Sequence, residues 1–250
     1  MIRTMIKLLP CLFLGVLLSQ PAIAQDLTGD QILKKVEDTL TGPEDRDATL
    51  KMTLVDKDGN EKLRELKIFQ KGDETRLIRF LSPADVKGVG FLVLSDDVMY
   101  LYMPAFHKIR RIASHVKNEN FMGTDFTYDD MAQSNYTEDY TAKILEESED
   151  IYSLELTPKP DSEIEYSKLR MWVNRKTFLP DKVEFYDEKG KLLKKMTNSA
   201  TEQIDGYWTP RHIEMEDVQK NHKTLMELKE VKHNVGLKDK LFSKRYLKRG

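Results

Sequence analysis

Three acids, Asp125, Asp129 and Asp130, crowd into the stretch FMGTDFTYDDM, which runs from Phe121 to Met131 around Gly123. Clustered carboxylates are the raw material of a calcium site. A calcium loop, however, alternates its acids and sets glycine midway, and this spacing does not match. The five histidines, His107, His115, His212, His222 and His233, are scattered, and no two stand at H-E-x-x-H spacing. The single cysteine is Cys11, inside an N-terminal apolar run. With that run removed, thiolate catalysis and zinc–sulfur sites are excluded. There is no G-x-S-x-G elbow and no P-loop. Gly88-Val89-Gly90 fits a bend or bulge better than a phosphate cradle. A glycosidase-like carboxylate pair stays open, because acids abound and pairing is three-dimensional. We expect no catalytic residues, no metal and no cofactor.

The better local reading of FMGTDFTYDDM is mechanical. Thr127 to Asp130 spells Thr-x-x-Asp, a near relative of a capping box, opening a short helix of about DDMAQS. Gly123 lets the chain bend sharply. Phe121, Met122, Phe126, Tyr128 and Met131 then need an apolar surface, so the segment is expected to act as a lid or plug.

The elements around it begin with a leader. MIRTMIK is a basic head, LLPCLFLGVLLS an apolar run too short to span a membrane comfortably, and PAIA a small-x-small cleavage site. Residues 1–24 are therefore read as a signal peptide cleaved after Ala24. Residues 25–250 are expected to form one exported, periplasmic domain. Cys11 lacks the small preceding residue that lipidation requires. With 40 basic against 42 acidic residues, charge is nearly balanced and nucleic acid is not an expected partner.

The first mature element is helical. In TGDQILKKVEDTL, Ile32, Leu33, Val36 and Leu40 recur at three and four, Thr28 or Asp30 caps, and Gly42-Pro43 ends it. From Arg46 the period changes to two. Strand after strand is joined by tight turns (KDGN, Asp187 to Gly190, Asp205-Gly206, Gln219 to Asn221), which forces antiparallel neighbours. The fold class is mainly β with few helices: a long antiparallel sheet, expected in sequential order, curled by its own twist into a barrel or half-barrel.

Charged and apolar faces alternate along the strands, as in Leu169, Met171 and Val173 against Lys168, Arg170 and Trp172. The apolar face uses methionine often: Met52, Met171 and Met215, with Met99, Met196 and Met226 beside them. Methionine suits a surface that accepts varied partners, and it also fills ordinary cores. Phe91 to Met103, including the two-sided strand VMYLYM, needs cover on both faces, from a loop, a helix or a partner protein. The basic run HKIRR, His107 to Arg111, reads as a solvated edge, with lipid head groups or an acidic partner as the alternative.

Three stretches, DDVMYLYMPAFHKIRRI, FMGTDFTYDDM and LRMWVNRKTFLP, together with the closing LFSKRYLKRG, resemble the LolA-like family of outer-membrane lipoprotein-sorting proteins. The resemblance covers essentially residues 25–250. It implies an antiparallel half-barrel of about eleven strands, LolA/LolB-like, closed over by helices around a hydrophobic cavity. It also implies a monomeric carrier of a lipid or lipoprotein acyl chain, moving cargo towards the outer membrane. An inner-membrane transporter of the resistance-nodulation-division (RND) type is an implied partner. The expected ligand-binding residues are Met52, Phe91, Val93, Met99, Leu101, Met103, Met171 and Met215 on the sheet, with Phe121, Met122, Phe126, Tyr128 and Met131 on the lid. A non-enzymatic envelope sensor or adaptor, docking a membrane transporter or regulatory protein, is the competing reading. A hydrolase acting in the envelope is the third.

Overall fold

A computed structural model describes residues 26–95, 97–132, 135–160, 162 and 164–249. The signal peptide expected at residues 1–24, Cys11 included, lies outside them.

Helix α1 (Gly29–Thr41) starts where Thr28 and Gln31 form a reciprocal capping box, with bonds of 2.8 and 3.2 Å. Thr28 is thus the cap. Asp30 instead accepts the amide of Ala142 at 2.7 Å, pinning the helix start to a strand. A side chain on Gly29 would come within 2.3 Å of the Ala142 carbonyl, so glycine is needed for this approach. Ile32, Leu33 and Val36 are fully buried along one stripe.

Six strands follow: β1 (Asp45–Val55), β2 (Glu61–Lys71), β3 (Thr75–Ser82), β4 (Gly90–Ser95), β5 (Val98–Met103) and β6 (Lys108–Arg111). Residues 112–139 interrupt them and carry two short helices, α2 (Tyr128–Ala132) and α3 (Tyr136–Asp139). Then come β7 (Tyr140–Glu147), β8 (Ile151–Pro158), β9 (Lys168–Asn174), β10 (Pro180–Tyr186), β11 (Leu192–Ser199), β12 (Glu202–Ile204), β13 (Tyr207–Thr209), β14 (His212–Asp217) and β15 (His222–His233), with α4 (Lys244–Arg249) near the C-terminus.

Among the described residues, thirteen strands form one antiparallel sheet ordered β6-β5-β4-β3-β2-β1-β15-β14-β11-β10-β9-β8-β7. This corrects the expectation of sequential order. β1 and β15 meet in the middle of the sheet, while its two edges, β6 and β7, come from the middle of the sequence. The edges do not pair, so the sheet curves without closing. The topology has a direct consequence: residues 112–139 must travel from one edge to the other, and they do so across the inner face.

Two smaller departures have local causes. The run YWTPRHIEMED splits into β13 and β14, because Pro210 offers no amide to a ladder. β12 and β13 form a separate hairpin through Asp205-Gly206, both at positive φ, the backbone that a two-residue turn demands.

The second face of β4 and β5 is covered by the chain itself. Leu77, Leu92 and Tyr102 pack against Phe242 and Leu247 of the C-terminal segment. Arg79 donates to the carbonyls of Tyr246 and Leu247 at 3.1 and 2.9 Å. Burying Leu247 completely is worth about 2 kcal/mol. β6, rich in lysine and arginine, is a solvated edge, which discourages edge-to-edge pairing.

Candidate functional site: a hollow on the inner face

The crossing segment is built to stay put. Phe121 to Gly123 make a tight turn with Met122 and Gly123 at positive φ. The Phe121 amide donates to the Phe126 carbonyl at 2.7 Å. α2 begins with a capping box: the Thr127 amide donates to Asp130 Oδ2 at 2.8 Å, and the Asp130 amide to Thr127 Oγ1 at 2.9 Å.

Polar contacts then fasten the segment to the sheet. Arg64 donates to the Met122 carbonyl at 2.7 Å, and Arg76 to the Met131 carbonyl. Asp125, almost wholly buried, accepts the Thr224 hydroxyl at 2.7 Å and lies 2.8 Å from His222 Nδ1. Asp130 meets Lys194 Nζ at 3.3 Å and accepts the Tyr166 hydroxyl at 3.2 Å. Burial, then the Asp130 charge, pushes the Tyr166 phenol well above its ordinary value, so it serves as a donor. Asp125 and Asp130 are thus fasteners. No group of three or more His, Cys, Asp or Glu among the described residues could hold a metal.

On the β2–β5 half, the segment fills the inner face. Phe121 sits 5.9 Å from Phe80, 5.2 Å from Phe91 and 5.3 Å from Tyr128, centroid to centroid. Towards β1, β15, β14 and β11 the filling stops. There a hollow of about 250 Å³ opens between the sheet, the end of α1, α3 and the turn after β13. Its sheet wall is Leu50, Ile68, Met196, Ile213, Met226, Leu228 and Val231; its cover is Leu40, Phe126, Met131, Tyr136 and Trp208. Burial pushes the Tyr136 phenol up to about 12, so it is neutral at any physiological pH.

One end of the hollow is polar. Arg46, Gln70 and Arg76 line it, from three adjacent strands. A second hollow of about 350 Å³ lies on the far side of Tyr166 and Lys194, edged by Asp187, Glu188, Lys189 and Lys220. Its charged rim makes it a wet cleft, and only the first hollow presents a mainly apolar wall.

Of the expected ligand-binding residues, the structure brings Phe126 and Met131 to the hollow. Met52, Phe91, Val93, Met99, Leu101, Phe121, Tyr128, Met171 and Met215 are buried in the surrounding packed core. Met103 and Met122 are partly buried against it. Met196 and Met226, on the same apolar face by alternation, are the methionines that reach the hollow from the sheet.

The chain is thus an open antiparallel half-barrel with a partly apolar hollow under a crossing segment. A protein family described only as an uncharacterized protein matches residues 72–249. Among solved structures, an outer-membrane lipoprotein-sorting protein domain from Vibrio parahaemolyticus is 30% identical, with a TM-score of 0.81 over 88% of this chain and 98% of that one. A DUF1329 family protein from Desulfovibrio piger is 29% identical, with a TM-score of 0.80 over 86% and 97%. A LolA superfamily protein from Nitrosomonas europaea is 27% identical, with a TM-score of 0.74 over 88% and 100%. No curated protein matches the chain. The chain belongs to the LolA-like family of outer-membrane lipoprotein-sorting protein domains.

Proposed function

We propose that this protein is a periplasmic carrier that shelters an acyl chain of a lipid or lipoprotein in the hollow between β1, β15 and the crossing segment, and moves it towards the outer membrane. The observation that carries this reading is the contrast within one face: here the wall is aliphatic and methionine side chains, and about 250 Å³ stays open between it and the cover of Leu40, Phe126, Met131, Tyr136 and Trp208. Each methylene moved from water into such a wall gains about 0.8 kcal/mol, before the cost of ordering the ligand. Loading and release need no bond chemistry. They need the α1–α3 cover, held by Glu37 accepting the Thr137 amide and hydroxyl at 3.0 and 2.8 Å, to part from the sheet. An inner-membrane transporter of the RND type is the proposed partner, and the protein acts as a monomer.

The adaptor reading has one observation in its favour: Phe106 is 61% exposed beside the basic edge β6. The two separate cleanly. Protein purified from a native-like periplasm is extracted with organic solvent and examined by mass spectrometry. A lipid at near-stoichiometric amount is the expected result. A clean extract, together with a co-purifying protein lost on Phe106→Ala, would replace the carrier with the adaptor.

A further inference from the structure

The polar end of the hollow holds a charge that no described residue balances. His233, Arg46, Gln70 and Arg76 are successive cross-strand partners on β15, β1, β2 and β3, so their side chains share the inner face. Most charges bordering the hollow are paired: Arg211 with Glu202, and Asp130 with Lys194. Arg76 is engaged by the Met131 carbonyl and by Gln70 Oε1 at 3.4 Å. Arg46 is different. Its one hydrogen bond among the described residues, from Nη2 to the Leu40 carbonyl, is stretched to 3.4 Å. Its Nε is shut off from solvent and meets no acceptor. No carboxylate among the described residues pairs with it. Desolvation lowers its pKa, which shows that the surroundings disfavour the cation.

An unpaired guanidinium beside an apolar wall is expensive unless something supplies the missing anion. A guanidinium fork also matches the two oxygens of a carboxylate or phosphate. We propose that the lipid taken up in this hollow is anionic, its carboxylate or phosphate oxygens received by Arg46 while its chain lies along Leu50, Ile213 and Met226. This rests on the carrier reading and narrows it. The acyl chains of a lipoprotein carry no such group at the chain junction, whereas a fatty acid or a phospholipid does.

The test uses delipidated protein titrated calorimetrically, below their aggregation limits, with oleate, oleoyl lysophosphatidate and oleyl alcohol. At least one anionic ligand should bind roughly tenfold or more tightly than the alcohol. Which of the two binds better identifies a free carboxylate or a phosphate headgroup as the source. Arg46→Met should erase the gap and leave the alcohol unchanged. Because no ion pair is broken, unliganded R46M should unfold at the same temperature as the parent or higher. Arg46→Gln, which keeps a donor for the Leu40 carbonyl without the charge, should lose the gap too and serves if R46M fails to fold. Equal affinity for all three ligands, or a gap that survives in R46Q, overturns the proposal and leaves the carrier standing. A marked drop in R46M stability with the gap retained in R46Q makes Arg46 a helix-end fastener only. Failure of all three ligands to bind the parent protein overturns the carrier reading itself.

Discussion

One wall of this protein behaves in two ways. Over β2 to β5 the inner face is filled by the chain's own rings, with Phe121 wedged among Phe80, Phe91 and Tyr128. Over β1, β15, β14 and β11 the same face, equally apolar, is left short of cover. The difference lies in the crossing segment. Three of its aromatic residues, Phe121, Phe126 and Tyr128, come early, where it leaves the β6 edge, and Tyr136 follows near β7. Approaching β7, its described residues offer Met131, Ala132 and the short α3 with Tyr136. Flat, rigid rings pack one half tightly; flexible methionines at Met196 and Met226 line the other. A sheet this wide needs more side-chain volume than one crossing segment supplies.

Substitutions in the two halves should therefore read out differently. The largest effect is expected from Phe121→Ala in the filled half, a loss of about 3–5 kcal/mol in denaturant unfolding. A loss below 1 kcal/mol would mean that this half is also loosely occupied. Next, Asp130→Asn removes the counter-charge of buried Lys194 and should cost about 3 kcal/mol. Its unfolding curve would show whether the fastener or the aromatic wedge dominates. In the hollow, Ile213→Asp should cost at most about 1 kcal/mol of stability, since Ile213 is only half-buried, yet should empty the protein of extractable lipid. Equal losses of stability and lipid would erase the distinction between the halves. Thr127→Ala, which breaks the α2 cap, should cost about 1 kcal/mol. The smallest expected effect is of pH. Burial, then the neighbouring Arg46, holds the His233 imidazole below its usual 6.5. The unfolded chain therefore takes up its proton first as pH falls. Stability that His233 contributes is complete above about pH 6.5 and declines below it. A thermal-unfolding series from pH 7.5 to 5 should show this decline, and His233→Phe should flatten it.

Much of this was legible in the residues, and the limits are instructive. Period-two alternation placed Leu50, Met52, Met171 and Met215 on the inner face, and they are there. Thr-x-x-Asp foretold the α2 cap, and the two-sided VMYLYM foretold a cover on each side. What alternation cannot give is which strands become neighbours. Met52 and Met226 are cross-strand partners, yet only Met226 reaches the hollow, and this depends on β1 meeting β15 and on where residues 112–139 run. Arg46 likewise looked like any residue at a strand start; its isolation follows from three-dimensional pairing. Lys194 and Tyr166 also gave no sign in the sequence, because their partner Asp130 is 64 and 36 residues away.

The seam between β1 and β15 has a consequence for how the molecule is made. The first strand to leave the ribosome finds its central neighbour only when residues 222–233 arrive, so the middle of the sheet is the last ladder that can zip. Pairing across so long a separation is slow, because the loop must be closed before any contact rewards it. Until residues 222–233 arrive, β1 has β2 on one side and an open edge on the other.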